Sequence, residues 1–350
     1  MPGLFDIPEG TDKIAIRKKI NSMLSEARKN AKPDKCILCG QKKSSFCNSH
    51  SVPQMSLREI ASNGIVLHAS AAIGLDFEII DLEKGVNNSG TFNYICRDCD
   101  GTFFQDYENP NNLKLLPTDK MLAEIAVKNF LLQISKRVIE SNLIPVQQRE
   151  LSMFENPDDA LTVKRLDQQE YESELMLHKA IADNNETGCY QILFWENLPY
   201  KVPIAMQSAI ALTKDMEGNQ INDIFDFRES TRMQYLHLCV FPLEQESIVL
   251  AFYHRRDRLY RNLRHQVNSS SKDRVLRFFN YVIFAYTENY FISKQIQSEI
   301  ETNASLQTLS QENSGFPSMG VLGADNMFGI GYKPISESEI PNFLSSAWAI

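Results

Sequence analysis

Residues 36–54 read CILCGQKKSSFCNSHSVPQ, and residues 94–100 read YICRDCD. Each stretch carries a CxxC pair, Cys36 with Cys39 and Cys96 with Cys99, and 56 residues separate the pairs. Four thiolates so arranged complete the tetrahedral shell that Zn²⁺ prefers, with no position left open. Gly40 follows Cys39, as a tight turn around a metal requires. After the second pair, Phe103, Phe104 and Tyr107 recur at helical spacing, so that pair is expected to open a helix. A metal set of Cys36, Cys39, Cys96 and Cys99 holding a structural zinc is the first expectation. Cys47 and His50 leave a second set open, spaced Cys36-x2-Cys39-x7-Cys47-x2-His50. Cys189 and Cys239 lie in apolar runs and read as core.

The bulk properties narrow the setting. Seven cysteines, an odd number with four in CxxC pairs, favour metal ligation over a disulfide framework. A chain of 350 residues with 43% hydrophobic and 23% charged content has room for one large or two ordinary domains around a buried core. No apolar run approaches the ~18–20 residues of a membrane span, and MPGLFDIPEG lacks the order of a signal peptide. A soluble, cytoplasmic protein with no membrane partner is expected. The net charge of −8 argues against non-specific coating of nucleic acid. It is uneven, with ten Lys/Arg against five Asp/Glu in residues 1–50 and eight Asp/Glu against two Lys/Arg in residues 76–110. That suits a local site.

The patterning predicts an α+β chain in four parts. Residues 1–33 hold an N-terminal helix, with Ile14, Ile20, Leu24 and Ala27 at helical intervals. Residues 34–115 form a small zinc module. Residues 116–302 form a larger domain. It begins with a long helix over 118–143, carrying Met121, Ile125, Phe130, Ile134 and Val138, and a second over about 157–184. Strand-like runs follow, CYQILFWENL, KVPIAMQSAIAL, YLHLCVFPL and ESIVLAFYH, the last two reading as a hairpin. A basic then apolar helix is expected over 256–298. Residues 303–350, with GVLGADNMFGIGYKP, read as an irregular tail. An antiparallel sheet with flanking helices accounts for the larger part.

Two further features bear on partners. In HRRDRLYRNLRH, residues 254–265, Arg255, Arg258, Arg261 and Arg264 lie three apart and would stripe one side of a helix, either meeting phosphates or forming a solvated face. His178, His237 and His254 each stand alone in amphipathic runs and read as core or surface residues.

A hairpin knuckle paired with a knuckle at a helix start is the plan of a treble-clef finger. With SHSVPQ at 49–54 between them, Cys36, Cys39 and YICRDCD resemble the HNH, or ββα-metal, endonuclease family over residues 34–110. The resemblance implies that His50 is the base that activates water. It also implies that Asp100 holds a catalytic Mg²⁺ or Mn²⁺, with Glu108 as a further acidic partner, and that DNA or RNA is the substrate. Ser49 stands where the family usually has Asp or His, and Asn93 lies three residues before Cys96, nearer than the family's middle Asn. A small nuclease fused to a larger domain is also, by analogy, the plan of bacterial defence effectors. The C-terminal part is left to recognise a target, or to join a partner protein or a second copy. The alternative from another class is a non-catalytic zinc module that binds nucleic acid or protein.

Overall fold

The strand-like runs after Thr187 pair as their sequence implies. In the computed structural model, which describes residues 12–69, 83–152, 156–224, 226, 228, 231–313 and 335–350, they become β5 (Tyr190–Leu198), β6 (Ile204–Ile210), β7 (Leu236–Pro242) and β8 (Ser247–His254). β7 and β8 form the expected hairpin, closed by Leu243 N–H donating to the Glu246 carbonyl at 2.8 Å. Every residue of β6 and β7 is buried. Strands covered on both faces carry mainly apolar runs instead of strict alternation, and here Gln207, Ser208 and His237 are the polar exceptions.

Three short strands from elsewhere complete the sheet. They are β2 (Ile65–His68) and β3 (Glu83–Gly85), both from the expected zinc module, and β9 (Tyr290–Ile292). The order is β3-β2-β9-β6-β7-β8-β5, antiparallel throughout. Leu67 pairs with Ile292, so hydrogen bonding runs across the boundary expected near residue 115.

One sheet face carries Cys239, Phe241, Ile248, Leu250 and Phe252 against α5 (Asp119–Leu151) and α6 (Pro157–Asn184). Both helices were expected. Thr118 caps α5, its hydroxyl accepting from Met121 N–H at 3.3 Å, and Pro145 sits inside α5 without ending it. From Met121 to Leu132 every residue of α5 is buried. A helix covered all round has no solvent face, so its polar residues must find partners inside. The same core takes in Cys36, Phe92, Ile95, Cys96, Phe104 and Tyr107 from the cysteine-rich segment. α1 (Lys13–Asn30) joins α5 through an ion pair of Glu26 with Arg149 at 2.8 Å.

The opposite face carries Leu238, Val240, Val249, Ala251 and Tyr253. The single helix expected over 256–298 is several elements here: a 3-10 turn at Arg258–Tyr260, α7 (Arg261–Ser269), α8 (Lys272–Tyr286), β9 and α9 (Gln297–Thr302). Ser270 ends α7 in extended backbone, and the Ser271 hydroxyl accepts from Arg274 N–H to cap α8. The C-terminal segment is also more ordered than an irregular tail. α10 (Ala304–Asn313) packs against α8, and Phe343 and Leu344 are fully buried, with Phe343 N–H donating to Asn280 Oδ1 at 3.0 Å. The stretch GVLGADNMFGIGYKP lies outside the described residues.

Gly90 fixes the join between the cysteine-rich segment and the sheet. Its φ is +61°, and a Cβ there would come 2.5 Å from the Phe291 ring and 2.6 Å from Ser51 Oγ. Only glycine suits that backbone and that approach.

A candidate zinc centre and the polar cluster beside it

Local hydrogen bonds build the first cysteine turn. Cys36 N–H donates to the Gln41 carbonyl at 2.9 Å, and Gly40, at φ +69°, donates back to the Cys36 carbonyl at 2.7 Å. Ile37 N–H reaches the Tyr94 carbonyl at 3.1 Å, which brings in the second pair. Cys96 is the N-cap of α3 (Arg97–Phe103), and its N–H donates to Cys36 Sγ at 3.3 Å. The four sulfurs lie within 4.8 Å of one another, Cys39 and Cys96 at 4.0 Å. A tetrahedral shell with Zn–S of about 2.3 Å spaces its sulfurs by about 3.8 Å. The set therefore fits zinc with a slight contraction. Cys47 is not part of it. Burial and the Asp100 carboxylate push the Cys47 thiol up to about 12.

The two cysteine turns flank a short strand pair. β1 (Ser49–His50) runs antiparallel to β4 (Thr91–Phe92), with Ser49 opposite Phe92 and His50 opposite Thr91. Ser51 N–H continues the ladder to the Gly90 carbonyl at 2.8 Å, and the Asn93 amide donates to the Cys47 carbonyl at 3.0 Å. Asn93 thus ties the chain after β4 to the chain before β1. His50 is half-buried, and its Nε2 meets the Val86 carbonyl at 3.0 Å. A carbonyl only accepts, so Nε2 carries the proton and Nδ1 keeps its lone pair. Burial lowers the His50 pKa, the Val86 carbonyl opposes this, and the charges of Lys128, Glu108 and Asp100 all act on the ring. Beside Val86 is an open hollow of about 360 Å³, lined also by Arg58, Gly64 and Asn88.

The centre of the cluster is a residue the sequence reading passed over. Lys128 of α5 has a side chain only 1% exposed, while those of Asp100 and Glu108 are 30% and 36% exposed. Its ammonium lies 3.1 Å from Ser49 Oγ, 3.2 Å from Asp100 Oδ1 and 3.1 Å from Glu108 Oε1, and 3.6 Å from the centre of the Phe104 ring. Ser49 Oγ in turn donates to Asp100 Oδ1 at 2.6 Å. Burial pushes Asp100 up, but the Lys128 charge and the Ser49 hydroxyl outweigh it and hold the carboxyl below its usual value. An ammonium has three donors, and three oxygens take them. Met121, Ile125, Lys128 and Leu132 fall on one helical stripe, so a lysine in an apolar line was the available signal.

This bears on the expected catalytic cation. Mg²⁺ needs oxygens at about 2.0–2.1 Å in octahedral array. Asp100, Glu108 and Ser49 are the oxygens on offer, and each already faces the Lys128 ammonium. A divalent ion on Asp100 Oδ1 would enter that space against like charge. On Asp100 Oδ1 and Glu108 Oε1 the expected Mg²⁺ or Mn²⁺ does not fit while Lys128 is there.

The three histidines that looked solitary meet between α6 and the sheet. His178 Nδ1 and the Tyr190 hydroxyl share a hydrogen bond of 2.5 Å, the Asn129 amide meets His237 Nδ1 at 3.0 Å, and the His178 ring lies 5.5 Å from His237 and 5.8 Å from His254. Glu174 beside them is ion-paired with Arg256 and with Arg232, which also pairs with Asp257. Burial drives His178 and His237 well below the ordinary value, and burial and Arg256 bring His254 to about 4. The imidazoles meet one another edge to face, His178 stacks on Phe130 and Tyr190 and His237 on Phe252, and neutral rings packed in this way make a packing element.

The arginines do not form one helical stripe. Arg255 follows β8 and donates to the Tyr190 carbonyl at 3.1 Å, Arg258 lies in the 3-10 turn, and Arg261 and Arg264 lie in α7. The charges of Arg264, Arg261 and Arg255 gather around Tyr253, on the sheet face away from α5 and Lys128. No helix of the described residues is long and apolar enough to cross a membrane.

Comparison with protein-family models, with curated proteins and with solved structures gives no match, so the geometry alone carries the functional reading.

Proposed function

We propose that residues 34–115 are an HNH-like module of treble-clef plan and that the chain hydrolyses phosphodiester bonds of DNA or RNA there, with His50 as the base. The observation that supports this most is the Val86 carbonyl on His50 Nε2, at 3.0 Å. It fixes the tautomer, while burial keeps the ring neutral at pH 7. His50 Nδ1 takes a proton from water, the resulting hydroxide attacks phosphorus, and the phosphorus–oxygen bond in line with it breaks. The leaving oxygen takes a proton from solvent. Zinc on the four cysteines supplies rigidity and no chemistry, holding β1 against α3. By analogy alone, a defence effector is the setting such a plan suits.

One observation favours the alternative, a zinc-stabilised module that binds without cleaving. The Lys128 ammonium is saturated by Ser49, Asp100 and Glu108, which leaves no donor for a phosphate. The deciding experiment incubates zinc-loaded protein with supercoiled plasmid and with single-stranded RNA, beside His50→Ala. Cleavage that this substitution abolishes, with fold and zinc kept, supports hydrolysis. Binding without cleavage under any condition returns the module to the second reading.

A further inference from the structure

We propose that Lys128 is a resident cation. Its ammonium occupies the place a divalent metal would take among Ser49, Asp100 and Glu108, so the chain binds no Mg²⁺ or Mn²⁺ there and any hydrolysis it performs is independent of added metal. The chemical part rests on the hydrolytic reading above; the binding part stands without it.

The geometry makes the case. Three oxygens from three separate segments, β1, α3 and the chain after α3, converge on one nitrogen at 3.1–3.2 Å. They come from 79, 28 and 20 positions away in the chain, so no local helix pairing gathers them. Lys128 reaches them from the stretch of α5 covered on all sides, its side chain 1% exposed and capped by the Phe104 ring. A long side chain held in this way is not a swinging competitor. Ser49 fits the same account. A carboxylate there would put a second negative charge against Asp100, whereas a hydroxyl donates to Asp100 Oδ1 and accepts from Lys128 together. Residue 49 and residue 128 are thus matched: a neutral oxygen beside an ammonium. With Lys128 replaced by methionine, similar in length and apolar, Asp100 and Glu108 would face each other uncompensated, and a hard cation with oxygen preference is what such a pair accepts.

Mn²⁺ is titrated into zinc-loaded full-length protein and followed by the electron paramagnetic resonance signal of the free ion. Wild type, Asp100→Asn, Lys128→Met and the Lys128→Met/Asp100→Asn double variant are compared, each checked for zinc content and circular dichroism. The expected result is no Asp100-dependent Mn²⁺ binding by wild type, and about one new site in Lys128→Met that the double variant loses. Mn²⁺ bound by wild type and lost in Asp100→Asn overturns the proposal, and this comparison decides even if Lys128→Met fails to fold. A folded Lys128→Met that gains no site overturns it as well. Nicking by wild type is measured alongside, in buffer freed of divalent ions on chelating resin before the zinc-loaded protein is added, and in the same buffer with Mn²⁺. Equal cleavage in both supports the resident cation, and cleavage requiring Mn²⁺ overturns it. Absence of cleavage in both defeats the hydrolytic reading, while the binding result stands on its own.

Discussion

Ser49 and Asp100 meet at 2.6 Å, hydroxyl to Oδ1, although 51 positions separate them in the chain. This contact joins the strand that carries His50 to the helix that begins at the second cysteine pair. Ser49 is fully buried, so its hydroxyl has no water to fall back on. Ser49→Ala removes one hydrogen bond to a carboxylate and one acceptor for Lys128. Asp100 is 30% exposed, so solvent recovers part of the loss. The expected destabilisation is about 1 kcal/mol, read from urea unfolding. A change within the noise of the measurement would show that the contact ties nothing together.

The cysteine geometry predicts one zinc per chain. Substituting Cys96 with Ala should abolish metal in elemental analysis and lower the melting temperature sharply. Cys47→Ala and His50→Ala should retain a full equivalent, because neither residue belongs to the four-sulfur group. Zinc lost from Cys47→Ala would revive the alternative set.

If His50 is the base, hydrolysis has an acid limb. The ring's pKa lies below the ordinary 6.5, with burial as the largest cause. The neutral form dominates at pH 7, and the rate should fall as the pH drops through a midpoint under 6.5. Lys128 lowers that pKa, while Val86, Glu108 and Asp100 raise it. Lys128→Met should therefore move the midpoint upward. A single-turnover profile from pH 5 to pH 8 checks both statements, and a wild-type midpoint above 6.5 contradicts them.

Global stability should also fall on the acid side, for a separate reason. His178 and His237 are held neutral in the fold, so the unfolded chain binds more protons below its ordinary value of 6.5. Their contribution is full above that pH and declines as the pH falls below it, each by about 1.4 kcal/mol per pH unit. Glu124 works in the opposite sense. Burial raises it to about 7, so its contribution weakens as the pH rises from about 4.5 to 7. Two histidines outweigh one carboxyl below pH 6.5. Denaturant midpoints should drop between pH 6.5 and pH 5, and His237→Gln should flatten that slope.

How much of this was legible beforehand depends on the range of the interaction. The cysteine turns were readable because metal ligation fixes both residue type and spacing, and Gly40 marks the turn. α5 and α6 were readable from periodicity, and the β7–β8 hairpin from two apolar runs around a turn. Lys128 was marked only by its place in an apolar line, and its burial was not readable until the elements covering that helix were known. The histidine cluster was hidden for the same reason: His178, His237 and His254 sit on α6, β7 and β8, and only the sheet order brings them together. β2 and β9 are too short to announce themselves as strands. The break within 256–298 was signalled by three consecutive serines, Ser269 to Ser271, which end one helix and cap the next.

The pairing of β2 with β9, and the seating of Gly90 on the Phe291 ring, give synthesis a definite order. Phe291 and Ile292 leave the ribosome well after the cysteine pairs and Lys128, so the shelf on which β2 and Gly90 rest is completed late. Pairings this distant in the chain form slowly. A prematurely stopped polypeptide would capture its metal and still lack the floor beneath its candidate catalytic strand, so competence would belong only to chains translated past Ile292.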